Sequence, residues 1–371
     1  MKVLRKPHLR NLLVSAALPA LISVSVCAKD APNKTEHYIQ INLVSDQPGV
    51  ALLQDTNLVN AWGVSFSATS PFWVSDNGTG KSTLYSVTND PAGSPTVSKV
   101  PLVVTIPGEG NPTGQLFNNT TAFHGDLFIF ASEDGTISGW RPALGTAAET
   151  LATRSNAVYK GITLAAGSNG PVLLAANFKE ATVDVYDTNV TLIGQLSDAS
   201  APAGYAPFNV QTIDGLVFVT FARQDADKKD DVAGPGNGLI DVFDPLTARF
   251  HRFATGSAAG GRRKESLKEI NSPWGVALAP NGFGKHSGEL LVGNFGSGTI
   301  MTFDADGKFH GLLKGHRGGP VVIDKLWALT FGNGTKAGAA DTLFFTAGPD
   351  DESHGLFGAL EPFEPQQLNE D

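Results

Sequence analysis

The residues best suited to chemistry in this sequence form an aspartate-rich run in a Gly- and Pro-rich segment. Asp225, Asp227, Asp230 and Asp231 lie within seven residues of one another. Calcium takes six to eight oxygen ligands, and closely spaced aspartates can supply several of them. The spacing does not match an EF-hand loop. The run therefore suggests a Ca²⁺ site, and a solvated hairpin loop is the alternative.

Other polar residues stand near the ends of short apolar runs along the chain. A ring of such side chains could bind a small polar ligand, because functional residues often lie on loops held by a rigid scaffold. Asn and Asp at these places also cap turns locally, which is the alternative. The predicted ligand-binding residues are Asn60, Asp76, Asn77, Glu133, Asp134, Asn177 and Asn294.

A second acidic stretch, Asp350-Asp351-Glu352, occupies a loop near the end of the chain. It favours a turn, with a contribution to a metal site as the alternative. If this loop and the aspartate-rich run lie on the same face of the fold, they frame one acidic mouth. No catalytic residue can be assigned, since the sequence contains neither a Gly-x-Ser-x-Gly elbow nor a His-Glu-x-x-His motif.

The elements that position these residues are short strands. In segment 271–315 four apolar runs alternate with Gly, Asn and Asp turns, which is typical of an antiparallel meander. Similar layouts recur about every fifty residues, a period typical of repeat architectures. The corresponding first-strand positions carry small residues, as expected where inner strands crowd around an axis: Gly63, Gly114, Gly161, Asn209, Gly275 and Ala328.

The sixth repeat has three strands, and the alternating segment Tyr38–Leu43 has no hairpin partner. We therefore predict an all-β, six-bladed β-propeller over 38–360, closed by this N-terminal strand joining the last blade. Residues 29–37 would form a flexible leader and 361–371 a polar C-terminal tail.

The N-terminus has the pattern of a cleavable signal peptide over residues 1–28. Basic residues precede an apolar run, and small residues follow near Ala28. Cys27 would suggest a lipoprotein as the alternative, but Val26 stands where that motif requires a small residue. We expect a secreted or periplasmic protein with no membrane span in the mature chain.

The net charge of −9 argues against nucleic acid and against an anionic membrane surface as the main partner. A protein, a glycan or a small molecule remains as the ligand, and we expect a monomer.

The run Gln224–Gly238, with Asn60-Ala-Trp-Gly and Asn271-Ser-Pro-Trp-Gly, resembles a family of uncharacterised exported bacterial proteins. The resemblance implies a TolB-like or NHL-like six-bladed propeller without an established activity. A more distant resemblance is to the gluconolactonase and regucalcin propellers, which hold a divalent metal in the central channel through a Glu ahead of a first-strand Trp. Here Asn60 and Ala61 precede Trp62, so that carboxylate is missing.

Two functions are consistent with these patterns. The first is a binding or interaction module that presents one propeller face to a ligand or protein. The alternative is a metal-assisted hydrolase or lactonase acting in the central channel, which rests on fold analogy.

Overall fold

The computed structural model describes residues 35–90, 93–245, 247–260 and 266–363. The predicted signal peptide, most of the leader and residues 364–371 of the tail lie outside these ranges. No helix in the described ranges is long and apolar enough to cross a membrane. The helices there are single 3₁₀ turns at Asn77–Thr79, Phe123–Gly125, Pro142–Leu144, Ser257–Ala259 and Gly284–His286.

The strands form six antiparallel sheets of four or more strands, which are the blades of a β-propeller. This confirms the predicted fold. The strands of blade 1 are β3 (Ala61–Ser65), β4 (Phe72–Asp76), β5 (Lys81–Asn89) and β6 (Pro95–Thr105); those of blade 2 are β7 (Pro112–Phe117), β8 (Phe128–Ser132), β9 (Thr136–Trp140) and β10 (Glu149–Thr153); those of blade 3 are β11 (Tyr159–Gly167), β12 (Gly170–Asn177), β13 (Thr182–Tyr186) and β14 (Leu192–Leu196).

Blades 4 to 6 repeat this order, and blades 4 and 6 have short additional strands at their outer edges. Blade 4 contains β15 (Tyr205–Ile213), β16 (Leu216–Arg223), β17 (Leu239–Asp244), β18 (Arg249–Gly256) and β19 (Ser266–Leu267); blade 5 contains β20 (Pro273–Leu278), β21 (Leu290–Asn294), β22 (Ile300–Phe303) and β23 (Phe309–Leu312); blade 6 contains β25 (Leu326–Phe331), β26 (Leu343–Ala347), β27 (Leu356–Phe363), β1 (His37–Ser45), β2 (Leu53–Gln54) and β24 (Lys314–Gly315).

The N-terminal strand β1 closes the ring, as predicted. It pairs antiparallel with β27, from His37 opposite Phe363 to Ser45 opposite Leu356. The pairing is longer than expected, so His37 belongs to the strand and not to the leader. For the same reason the first three residues of the predicted tail, 361–363, continue β27.

The small residues of the inner strands lie against the next blade. A Cβ on Gly63 would come within 2.5 Å of the Thr113 carbonyl oxygen, and one on Gly114 within 2.8 Å of the Gly161 Cα. A Cβ on Gly275 would meet the carbonyl oxygen of Trp327 at 2.6 Å. Side chains at these positions would push neighbouring inner strands apart, so the predicted crowding is confirmed and its cause is contact between blades.

Apolar side chains fill the space between neighbouring blades. Between blades 6 and 1, for example, the ring of Phe72 lies 4.7 Å from that of Phe344 and 5.1 Å from that of Phe357. Each sheet is therefore covered on both faces, which holds the inner strands rigidly around the axis.

Candidate functional site

The candidate site is one end of the central axis, where each inner strand begins. In every blade the pairing of the first two strands is interrupted there by a bulge. A bulge re-aims the side chain of the extra residue. Within these six bulges lie Trp62, Thr113, Lys160, Phe208, Trp274 and Trp327.

Aromatic rings from these bulges form a floor across the axis. Trp62 stacks on Trp327 with centroids 3.6 Å apart, and Phe295 stacks on the same Trp327 at 3.9 Å. Trp274 contacts both tryptophans edge-on, at 6.5 and 5.9 Å. Phe208 completes the cluster. We call this cluster the aromatic floor.

Farther along the inner strands the channel is narrow. The cavity that these strands line has a volume of about 40 Å³ and includes Gln115, Asn209 and Gln211 in its walls. Pockets for small molecules usually measure roughly 300–1,000 Å³. The cavity is large enough for a few water molecules, so a ligand at the axis would contact the loops above the floor.

Lys160 is the charged member of the bulge ring. Its side chain is 1% exposed, and its Nζ lies 2.6 Å from Glu133 Oε1 and 2.9 Å from Asp230 Oδ1. The same Nζ stands over the Trp62 ring, 5.1 Å from its centroid. Burial acts to lower the pKa of Lys160, but the two carboxylates outweigh it and hold the pKa above its ordinary value. Lys160 is therefore a buried, charged ammonium.

Two amides connect this ion pair to the last blade. Asn77 Nδ2 donates to Glu133 Oε2 (3.1 Å), and Asn60 Nδ2 donates to Asn77 Oδ1 (3.2 Å) and to Glu352 Oε1 (3.3 Å). Asn60 Oδ1 in turn accepts a hydrogen bond from Trp327 Nε1 at 2.9 Å. Asn60 thus joins the polar groups to the aromatic floor.

Glu352 reaches the axis from a backbone turn of unusual geometry. Asp350, Asp351 and Glu352 have φ values of 57°, 52° and 67°, so three successive non-glycine residues are left-handed. Each such residue costs roughly 1–2 kcal/mol, and they normally occur singly. Burial, with smaller contributions from Glu133 and Asp230 and against the opposing charges of Lys160 and Lys325, raises the pKa of Glu352 to about 7.

Asp231 and Lys325 complete the group. Burial raises the pKa of Asp231, while Ser272 and the charges of Lys160 and Lys325 act to lower it. Asp231 Oδ2 is buried and has no hydrogen-bond donor among the described residues. Lys325 Nζ lies 4.7 Å from the centroid of Phe295 and 3.1 Å from Asp351 Oδ1.

We call this set the axial mouth. It consists of Asn60, Asn77, Glu133, Lys160, Asp230, Asp231, Lys325 and Glu352, which come from blades 1, 2, 3, 4 and 6. Four carboxyl groups face two lysines, so the mouth is acidic when all are ionised. It can hold a small polar group over an aromatic surface and favours a positive charge.

Of the predicted ligand-binding residues, the structure brings Asn60, Asn77 and Glu133 together at the axial mouth. The others have local roles. Asp134 Oδ1 accepts from the Thr136 amide (2.9 Å) and its Oδ2 from the Glu109 amide (2.8 Å).

The remaining three predicted residues are buried within their own blades. Asn177 Nδ2 donates to Glu180 at 3.0 Å, and Asn294 Oδ1 accepts from the amide of Asn271 at 3.0 Å. Asp76 is fully buried in blade 1, and burial raises its pKa well above the ordinary value. Asn177 and Asn294 stabilise turns of their own blades, whereas both carboxyl oxygens of Asp76 are buried without a hydrogen bond of normal geometry among the described residues.

The four aspartates predicted to bind Ca²⁺ do not form one ligand set. Asp225 Oδ1 accepts from the amide of Lys229 (2.9 Å), and Asp227 is exposed at the hairpin tip. Asp230 and Asp231 belong to the axial mouth. In the described ranges no group of three or more His, Cys, Asp or Glu side chains is placed to hold a metal. The geometry therefore gives no support to a Ca²⁺ site in this loop.

The acidic loops of blades 4 and 6 do lie on one face, because Asp230 and Glu352 both border Lys160. Sequence reasoning missed Lys160 as a functional residue. A signal was present: Lys160 directly precedes Gly161, at the place held by Trp62, Phe208, Trp274 and Trp327 in four other repeats. Four other repeats have an aromatic residue at this position, so Lys160 distinguishes blade 3 from them.

Comparison with known proteins identifies relatives without a known role. No family model matches the chain. One uncharacterized protein of Acanthamoeba polyphaga mimivirus is 29% identical over 340 residues, covering 86% of this chain and 78% of its own. Another from the same virus is 28% identical over 338 residues, covering 86% and 84%.

Solved structures resemble the chain only weakly. Virginiamycin B lyase from Staphylococcus aureus has a TM-score of 0.47 and 12% identity, covering 88% of this chain and 99% of that one. The WD40 β-propeller domain of Doa1 has a TM-score of 0.46 and 13% identity, covering 88% and 96%. Similarity at this level assigns no activity or ligand to this chain.

Proposed function

We propose that this protein is a binding module of the secreted or periplasmic space, and that its axial mouth takes a small polar ligand. The observation that carries the proposal is a pair of buried polar atoms without partners among the described residues. They are Asp231 Oδ2 and Trp62 Nε1. The Trp62 ring lies under Lys160, and Asp231 interacts with the charge of the same lysine.

Unsatisfied buried polar atoms are costly, at about 1–3 kcal/mol each. Most buried polar groups in native proteins have a partner, so a donor and an acceptor left open at one place favour a polar ligand there. The rigid inner strands and the left-handed turn at Glu352 hold the surrounding groups in position. Preorganisation of this kind lowers the entropic cost of binding.

Ligand-observed NMR screening of a polar fragment library tests the binding proposal. The full chain is expressed, and the mature protein is compared with Lys160→Met and with the control Glu361→Gln. Glu361 is a partly buried glutamate of blade 6, and burial raises its pKa too, but it contacts Thr342 and not the axis. We expect fragments that bind the mature protein and Glu361→Gln and fail to bind Lys160→Met. Fragments that bind all three alike, or no binding at all, would contradict the proposal.

The proposed export of the protein is tested on the same expressed full chain. Cell fractionation and an intact-mass spectrum should show a chain that lacks residues 1–28 outside the cytoplasm. A chain that keeps residue 1 in the cytoplasm would contradict export.

A further inference from the structure

We propose that the axial mouth recognises the ammonium group of a primary amine, with Glu352 and Asp231 as the carboxyl groups that receive it. This inference rests on the proposed function and names the class of its ligand. Three observations on the described residues support it.

The first observation is how the chain binds its own ammonium groups at this place. Lys160 Nζ lies between two carboxylates, 2.6 Å from Glu133 and 2.9 Å from Asp230, with the Trp62 ring 5.1 Å away. Lys325 Nζ has a more open version of these surroundings, with one carboxylate, that of the exposed Asp351, at 3.1 Å and the Phe295 ring at 4.7 Å. Carboxylates over an aromatic face are the recurring environment of bound ammonium ions. The mouth therefore already contains two such environments.

The second observation is the acceptor capacity that these lysines leave unused. Asp231 Oδ2 is buried and makes no hydrogen bond of normal geometry with the described residues, although the buried Ser272 hydroxyl lies close enough to act on its pKa. Glu352 receives a single long hydrogen bond, from Asn60 Nδ2 at 3.3 Å. An ammonium carries three N–H donors and no acceptor, so its donors match open carboxyl oxygens such as these. A carboxylate or phosphate ligand would instead be repelled.

The third observation is the charge balance. Asp231 and Glu352 each interact electrostatically with Lys160 and Lys325, and Glu352 also with Glu133 and Asp230. Two of the carboxyl groups are left without a lysine of their own. An arriving ammonium would compensate one of them, which a neutral ligand cannot do.

The protonation of Glu352 couples amine binding to pH. Burial, with smaller contributions from Glu133 and Asp230 and against the charges of Lys160 and Lys325, raises the pKa of Glu352 to about 7. An ammonium binds the ionised carboxylate better than the protonated acid. Between pH 6 and pH 8 the ionised fraction of a group with that pKa rises about tenfold, so amine affinity should rise by about the same factor.

The test is isothermal titration calorimetry of the mature protein with 1,4-diaminobutane at pH 6 and pH 8. Two compounds of similar length serve as ligand controls: 1,4-butanediol, which is uncharged, and succinate, which is negatively charged. We expect diaminobutane to bind about tenfold more tightly at pH 8 than at pH 6, and neither control compound to bind. Equal binding of the diol or of succinate would overturn the inference.

Variants test whether amine binding depends on the carboxyl groups of Glu352 and Asp231. In Glu352→Gln the affinity at pH 8 should fall about tenfold and the pH dependence should disappear. Asp231→Asn should weaken binding at both pH values, while Glu361→Gln should behave as the native protein. Circular dichroism and melting curves verify that each variant is folded. Native-like binding by both Glu352→Gln and Asp231→Asn would overturn the assignment.

The outcome also separates this inference from the proposed function. If fragments of another class bind at the mouth and lose affinity in Lys160→Met, the binding function stands and the amine inference fails. If Ca²⁺ binds in place of diaminobutane and depends on Glu352, the inference likewise fails. If nothing binds in a way that Lys160→Met, Glu352→Gln or Asp231→Asn weakens, both fail.

Discussion

The axial mouth and the charged cluster inside blade 3 use the same kinds of residue in opposite ways. In blade 3, Asp184 is fully buried and accepts from the Tyr159 hydroxyl (2.7 Å), the Gln195 amide (2.8 Å) and the Arg154 guanidinium. Thr182 and Asn177 donate to it as well. At the mouth, Asp231 Oδ2 has no such donor and Glu352 has one.

We infer that the charged groups around Asp184 stabilise the fold, whereas Asp231 and Glu352 are available to a ligand. The acceptors of Asp184 are occupied by groups of its own blade, so the cluster has no capacity for a further partner. The groups at the mouth come from five blades, and the lysines among them leave two carboxyl groups open. Among the described residues, buried carboxyl oxygens without a partner also occur inside the blades, at Asp76 and Asp241, so what distinguishes the mouth is that its open carboxyl groups lie among loops of several blades at the end of the axis.

A second pair sharpens the comparison, because burial raises the pKa of both Glu352 and Asp241 to about 7. Asp241 in blade 4 contacts the Arg252 guanidinium, which also lies 2.7 Å from Asp198. Glu352 has no arginine of this kind within ion-pair distance among the described residues. Asp241, which has an arginine partner, and Glu352, which has none in the described ranges, therefore have similar pKa values.

The largest expected effect is in the blade 3 cluster. Asp184→Ala leaves the Arg154 guanidinium and the Tyr159 hydroxyl without their shared acceptor, so we expect it to lower the free energy of unfolding by about 4 kcal/mol. Urea denaturation measures this. Asp187→Ala, in an exposed turn of the same blade, is the control and should cost about 1 kcal/mol or less. A similar small cost for both variants would contradict the structural role of the cluster.

The next effect compares Glu352→Gln with Asp241→Asn as a function of pH. A carboxyl whose pKa is raised in the folded state stabilises the fold fully below its unfolded pKa, and this contribution is lost as pH rises to about 7. Glu352→Gln should remove that pH dependence and be more stable than the native protein at pH 8, on the order of 2 kcal/mol. By the same linkage Asp241→Asn should also lose its pH dependence, but its gain at pH 8 should be smaller, because the variant leaves Arg252 with Asp198 as its carboxylate partner.

Chemical denaturation at pH 5, 6, 7 and 8 measures both variants. Destabilisation of Glu352→Gln at pH 8 would show that Glu352 is a structural group like Asp241. That result would remove the distinction between the mouth and the blade clusters.

A smaller effect is expected from Lys160→Met. The lysine lowers the pKa of Glu352, so its removal should move that pKa above 7. Stability should fall by about 2 kcal/mol or less: Asp230, 61% exposed, returns to water, and Glu133, 11% exposed, loses its ammonium partner but keeps the hydrogen bond from Asn77. Carboxyl ¹³C NMR titration measures the pKa. A fall in the pKa of Glu352, or an unfolded variant, would be inconsistent with this arrangement.

The smallest effect concerns the loop predicted to bind Ca²⁺. Asp227 is exposed and remote from the pairs at the axis, so Asp227→Asn should leave the melting temperature within about 1 °C of the native value, with or without Ca²⁺. A Ca²⁺-dependent rise in the native protein that the variant lacks would restore the calcium site.

The blades were predictable because their signals are local. Alternating apolar residues and turn residues mark each strand within a few positions, and small residues such as Gly63 and Gly114 mark the inner strands. The closing strand at Tyr38–Leu43 was found because the sixth repeat lacked a partner. The site was predicted in part: Asn60, Asn77 and Glu133 reach the axis, whereas Asp134 and Asn294 cap turns. In sequence, an Asn at a strand end looks the same in both roles.

The sequence by itself therefore determined the six blades, their order and the closure of the ring, because period and pattern follow from which face of each strand is buried. Only the tertiary structure decided which polar residues meet. Lys160 and Asp230 are separated by 70 positions and Asn60 and Glu352 by 292, and ring closure brings them within hydrogen-bond distance. Whether a carboxyl group is paired, as Asp184 is, or open, as Asp231 is, depends on such distant neighbours and has no local signal.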